Sequence, residues 1–187
     1  MIFWIPVCLV ILFLLWMIMI YNRLVALKNE VRNAWQQIDV QLKRRHDLIP
    51  NLVNVVKGYM RYERDTLEKV VSARAHALAA MYLPEKATAE NVLTQELGRL
   101  FAVMENYPVL KSNVNVLELQ EELTSTENKI SFSRQLYNDL VANYATKLEV
   151  FPNTLVASLC GFRKEEYFSA EKDDIKVPPA IIRSDSA

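Results

Sequence analysis

Hydrophobic and polar positions along this chain follow two regimes. From Ile2 to Tyr21 the sequence reads IFWIPVCLVILFLLWMIMIY, twenty residues without a charge or an amide. A helix of that length spans about 30 Å, the thickness of a bilayer core. From Leu24 onward, apolar positions recur at spacings of three and four, the period of an amphipathic helix rather than the alternation of a strand. Leu24, Leu27, Val31, Ala34, Ile38 and Leu42 form a first stripe. Ile49, Leu52, Val56, Tyr59, Leu67, Val70, Ala77 and Met81 form a second, interrupted by Glu63 and Arg74. A third runs from Leu93 to Tyr107 and a fourth from Val116 to Leu148. The expected fold is all-α: an N-terminal transmembrane helix followed by an antiparallel four-helix bundle of long helices.

Proline punctuates these stripes, because it removes an i→i−4 hydrogen bond and crowds the preceding turn. Leu83-Pro84 and Tyr107-Pro108 read as turns, and Phe151-Pro152 ends the fourth stripe. Asp47-Leu-Ile-Pro50 has two readings. It is a tight turn with Pro50 in the first turn of a new helix, or a kink in one helix running from the membrane to Met81. The turn is preferred, because it yields four antiparallel helices of similar length that bury every stripe. Residues 153–160 read as a short helix stopped by Gly161. The expected domains are an anchor at 1–22, a helical bundle at 23–162 and a disordered tail at 163–187. In that tail, Ile175 to Ile182 is the sole apolar island.

The first stretch reads as a retained anchor and not as a signal peptide. No Lys or Arg precedes it, and its end, Met19-Ile20-Tyr21-Asn22, lacks a small-residue cleavage pattern. Cys8 does not sit where a lipidated cysteine would, since Ile5-Pro6-Val7 precede it and the apolar run follows. Trp4, Pro6, Trp16 and Tyr21 are the anchor's marked residues, with Trp4 and Tyr21 at interfacial depths and Pro6 in the first turns. Arg23, Lys28, Arg32, Lys43, Arg44 and Arg45 follow the span. The positive-inside rule therefore predicts a single-pass cell-membrane protein with its amino terminus outside and its bundle in the cytoplasm.

Composition narrows the chemistry. Lys plus Arg and Asp plus Glu each number 22, so no global basic surplus attracts nucleic acid. Only 3 glycines occur in 187 residues, which disfavours a multi-hairpin β protein or a glycine-loop nucleotide binder. His46 and His76 are the only histidines, and Cys8 and Cys160 the only cysteines. No phosphate-cradling loop, H-E-x-x-H or C-x-x-C is present. Glu63, Glu121, Glu122 and Glu127 lack the E-x-x-H partners that di-metal sites in bundles use. The reading is no catalytic residue, no cofactor, no metal and no small-molecule substrate.

Two polar features remain. Lys43, Arg44 and Arg45, with His46 after them, form a compact basic cluster. On an upright helix it stands over about 30 Å from the bilayer, too far for lipid headgroups, so it reads as cations at a helix C-terminal end. Arg45, Glu63, Arg74 and Arg134 fall at or beside core positions, with Glu122 and Glu127 in reach on the last long helix. A charge in a core is tolerated only when paired, so these residues are expected to form cross-helix pairs that set register.

The run Ala34-Trp35-Gln-Gln-Ile38-Asp39-Val40-Gln41-Leu42-Lys43-Arg44-Arg45-His-Asp47-Leu48-Ile49-Pro50-Asn51-Leu52-Val53 resembles the LemA family of bacterial membrane proteins. So do Tyr107-Pro108-Val-Leu110-Lys111, Leu119-Gln120-Glu121-Glu122-Leu123, Thr126-Glu127-Asn128, Arg134-Gln-Leu-Tyr137-Asn138 and Phe151-Pro152. The resemblance covers most of residues 1–170. It implies a bacterial inner-membrane protein with one anchor, a cytoplasmic four-helix bundle and no established enzymatic activity, and it supplies no catalytic residue.

Apolar residues off the main stripes favour self-association. Trp35, Val40, Leu48, Val53, Val55, Val71, Leu110, Val114, Leu117, Phe132 and Leu136 exceed what one stripe per helix needs. Confinement to one plane raises the effective concentration of such contacts. The expected function is a non-enzymatic, homo-oligomeric scaffold that organises the membrane or membrane-bound partners. The alternative is a monomeric adaptor or signalling protein that recruits an unidentified cytoplasmic partner.

Overall fold

The structure is a computed structural model that describes residues 4–169. Six helices follow one another: α1 (Trp4–Lys57), α2 (Arg64–Ala79), α3 (Leu83–Met104), α4 (Pro108–Lys111), α5 (Val114–Glu149) and α6 (Asn153–Leu159). No strand occurs among the described residues, so this part of the chain is all-α, as its apolar period predicts. Helix α1 packs chiefly along α5, and α2 along α3, while α6 lies against both α1 and α5.

Helix α1 corrects the expected turn at Pro50. It is continuous for 54 residues, about 81 Å at the standard rise, and passes through Pro50 to Lys57. Proline lacks the N–H that would bond the carbonyl four residues earlier, here that of His46. That carbonyl accepts a hydrogen bond from Arg74 Nε at 2.8 Å instead. The acceptor is satisfied from a neighbouring helix, so the helix need not end. The break comes later, across residues 58–63, where Tyr59 and Met60 N–H both turn back to the Val56 carbonyl at 3.0 Å. The second stripe is consequently split: Ile49, Leu52 and Val56 lie on α1, and Leu67, Val70 and Ala77 on α2. The helices are also unequal, with 16 residues in α2 against 36 in α5.

Local chemistry sets the other boundaries. Pro84 stands in the first turn of α3 and Pro108 opens α4, positions where a missing N–H costs nothing. Asn113 caps α5, its Oδ1 accepting from the N–H of Asn115 at 3.1 Å and of Val116 at 3.3 Å. Gly161 takes φ +71° after α6, and the Phe162 N–H returns to the Ala157 carbonyl at 3.0 Å. This is the six-to-one bond of a glycine-terminated helix, as the sequence predicted.

The core divides into two apolar clusters. The first joins Leu24, Val31, Ile38 and Leu42 of α1 to Ile130, Val141 and Tyr144 of α5 and Val156 of α6. The second joins Ile49, Leu52 and Val56 of α1 to Val70 of α2, Leu93 and Leu100 of α3, and Val116 and Leu123 of α5.

Residues 163–169, expected to begin a disordered tail, run irregularly but are fastened to α5. Tyr137 Oη donates to the Glu166 carbonyl at 2.8 Å. Asn138 grips the backbone of Phe168 on both sides, accepting from its N–H at 2.9 Å and donating to its carbonyl at 3.3 Å. The Phe168 ring is buried and lies 5.8 Å from that of Trp35, which in turn meets Tyr137 edge-on at 5.9 Å. The apolar island at 175–182 and the rest of the tail lie outside the described residues.

Candidate functional site

Between the two apolar clusters lies a polar layer built on Arg45. Its side chain is completely buried, as is that of Glu90 on α3. Arg45 Nη2 donates to Glu90 Oε2 and, at 3.1 Å, to the Glu90 carbonyl. Arg45 Nη1 donates to Glu127 Oε2 on α5 and, at 2.9 Å, to Thr94 Oγ1. Glu90 Oε1 lies 2.8 Å from His46 Nε2. An ionised carboxylate only accepts, so His46 is the donor through Nε2. One guanidinium thus ties α1 to α3 and α5 at a single level. Burial alone would push the Glu90 carboxyl up; the His46 hydrogen bond and the adjacent Arg45 charge outweigh it and hold the group below its usual 4.5.

The expected cross-helix pairs resolve unevenly. Arg45 meets Glu127 as anticipated. Arg44 lies 3.6 Å from Glu122, with both side chains about half exposed. Glu63 finds no arginine and accepts from Tyr107 Oη at 3.2 Å. Arg74 serves the His46 carbonyl. Arg134 donates to Asn91 Oδ1 at 3.0 Å, and its guanidinium stands 4.6 Å over the Phe168 ring. Burial, with the charge of Arg45 behind it, holds Arg134 below its ordinary pKa. Burial first, then Glu165 and Glu166, pushes the Tyr137 phenol up to about 12.

The basic cluster is not a unit. Lys43 and Arg44 are exposed or partly exposed on α1, whereas Arg45 points inward. No helix ends there, so the expected stabilisation by a C-terminal dipole does not apply. Sequence reasoning missed Glu90, and it placed His46 in the basic cluster and not in the polar network. The signal for Glu90 was present, since it stands three residues before Leu93, in phase with Leu97, Leu100 and Met104. Among the described residues, no group of three or more His, Cys, Asp and Glu is placed to hold a metal ion.

Two surfaces complete the picture. The N-terminal part of α1 has a mean hydropathy of 2.6 over its most apolar 18 residues, none of them buried. Trp4 and Tyr21 are exposed at its ends, with Pro6 in its first turns and Trp16 exposed along it. A groove of about 1540 Å³ runs between α1 and α5, lined by Val40, Leu117 and Phe132 among Gln36, Gln37 and Asn128. Of the surplus apolar residues, Val40, Val71, Val114, Leu117, Phe132 and Leu136 are exposed. Leu110 is fully buried, and Trp35, Leu48, Val53 and Val55 pack at the core's margin.

The model of the LemA family matches residues 34–182, which takes in the polar layer, all of α2 to α6 and the fastened segment after them. The chain belongs to the LemA family. Among similar proteins is magnetosome protein MamQ 2 of Paramagnetospirillum magneticum, 24% identical over 185 residues, covering 85% of this chain and 68% of that one. MamQ of Magnetospirillum gryphiswaldense is 23% identical over 182 residues, covering 83% and 67%. Protein LemA of Metamycoplasma hominis is 25% identical over 166 residues, covering 87% and 75%. Family membership and the long apolar helix together make this a membrane-associated LemA-family protein. The apolar stretch that opens α1 lies wholly before the family match, which begins at Ala34.

Proposed function

We propose that this LemA-family protein is a non-enzymatic scaffold, anchored by α1, that self-associates through the groove between α1 and α5. The carrying observation is the exposure of Val40, Leu117 and Phe132 around that groove, with Phe132 at 71%. Apolar residues gathered at a groove mark an interaction surface, and amides between them supply direction. The antiparallel reading is supported, for α1 and α5, by the order of their contacts. Trp35 meets Tyr137 while Arg44 meets Glu122, so α1 and α5 advance in opposite senses. The N-out orientation is supported by the Arg23, Lys28 and Arg32 that follow the span. Similarity to magnetosome proteins and to a protein LemA is in keeping with a role in organising a membrane.

Mass photometry after extraction in mild detergents tests self-association. The expected result is a discrete oligomer that Phe132→Asp reduces to monomer. A monomer alone, across concentrations and detergents, favours the adaptor reading. Protease protection of a C-terminal tag in spheroplasts tests orientation, and digestion of the tag from outside would reverse it.

A further inference from the structure

The chain from Val150 to Phe162 is its longest uncharged run outside the anchor. It holds α6 and the corner that joins it to α5. Phe151, Leu155 and Leu159 follow one another at spacings of four and are 73%, 55% and 75% exposed. The opposite side of α6 is used: Val156 and Ala157 are buried in the apolar cluster shared with α1 and α5. The helix therefore has two apolar sides, and only one is covered by protein.

The position of α6 along α1 identifies what covers the other. Ile20 is buried in the same cluster as Val156 and Ala157, and Met17 packs against it. The ring of Tyr21 meets that of Phe162 at 5.6 Å. These three α1 residues are the last turn of the apolar span. The corner thus lies beside the anchor where it leaves the bilayer. From Tyr21 to Met17 is about 6 Å of helix rise, within the roughly 5–10 Å by which interfacial helices enter the headgroup and acyl boundary. Arg163, which directly follows the uncharged run, is exposed and able to meet lipid headgroups.

We propose that the α5–α6 corner is a second membrane contact, seating Phe151, Leu155 and Leu159 in the bilayer interface beside α1. The inference rests on α1 spanning the membrane. Its effect is to hold the bundle at a set height and angle to the bilayer, where an anchor alone leaves it free to swing.

Cys8 and Cys160 are the only cysteines, and Cys160 is exposed beside Leu159. The full chain carrying Cys8→Ser is labelled at Cys160 with nitrobenzoxadiazole and reconstituted into phosphatidylcholine–phosphatidylglycerol vesicles. A reference chain carries Cys8→Ser, Cys160→Ser and Ser112→Cys, with its label at the far end of α5, about 54 Å away. The expected result is blue-shifted emission at Cys160 that shallow nitroxide lipids quench strongly, with no quenching at position 112. Adding Phe151→Ser, Leu155→Ser and Leu159→Ser should abolish the quenching without altering helix content, because all three side chains are exposed. Equal, weak quenching at both positions in chains that float with the vesicles overturns the proposal and leaves the anchor intact. Loss of quenching as protein density rises assigns the corner to a second copy and also overturns it. Failure to float removes the anchor and the proposal together.

Discussion

Arg74 donates its Nε–H to the carbonyl oxygen of His46, the acceptor that Pro50 leaves without its intrahelical donor. A proline inside a helix and an arginine interrupting an apolar stripe are two halves of one arrangement. The pair lets α1 run unbroken from the anchor past the polar layer and attaches α2 to it at that level. Its energetic coupling is measurable. Arg74→Ala should cost about 1–3 kcal/mol, the penalty for stranding a polar partner. In a Pro50→Ala background, the restored N–H supplies His46, and the same change should cost less. Thermal melts of the four chains in detergent give the coupling, expected to exceed about 0.5 kcal/mol. Strict additivity would refute the link.

The polar layer should behave as a buried network. Glu90→Ala leaves Arg45 with only the part-exposed Glu127, and Arg45→Ala leaves the buried Glu90 with only His46, so each should cost about 3–5 kcal/mol. Arg44→Ala, removing a half-exposed pair, should cost under about 1 kcal/mol. Replacing both partners, as Arg45→Met with Glu90→Leu, should be milder than either single change. Comparable melting of Glu90→Ala and Arg44→Ala would show that the layer contributes little.

Acid sensitivity follows from the depressed Glu90 carboxyl. Its folded pKa lies below the usual 4.5, so its stabilisation is present above about pH 4.5 and is lost as pH falls through the folded value. Melting temperature should therefore decline as pH falls below about 4.5, and Glu90→Gln should flatten that part of the decline. An identical profile in Glu90→Gln would assign the acid transition to other carboxylates.

Asn138 should control the segment after α6. Its two hydrogen bonds to the Phe168 backbone, at about 1 kcal/mol each, hold the segment closed against α5. Asn138→Ala should raise its open population by roughly 30-fold. Limited trypsin digestion at Arg163 and Lys164 should accelerate accordingly, while cleavage elsewhere stays unchanged. Unchanged cleavage would mean that burial of Phe168 suffices.

Much of this molecule is decided within single stretches of sequence. The apolar run at its start, the helical period from Leu24 onward, Asn113 as a cap and Gly161 as a stop each depend on neighbours within a turn or two. The stripes also marked Arg45 and Arg134 as polar residues at core positions. Only the tertiary structure decided how those residues are satisfied. The turn preferred at Pro50 rested on local rules alone, and the side chain of Arg74, 28 residues from the His46 carbonyl it serves, removes the need for it. Glu90 carries the deepest charge pair, yet its partners lie 44 and 45 positions distant. Residues 163–169 have no periodicity, and the hydrogen bonds that fasten them to α5 come from Tyr137 and Asn138, far away in the chain. The apolar side of α6 acquires its meaning from the height at which α5 delivers it beside Tyr21. Local spacing encodes which face of a helix is apolar, but hydrogen-bond partners and position relative to a membrane depend on groups far apart in the chain.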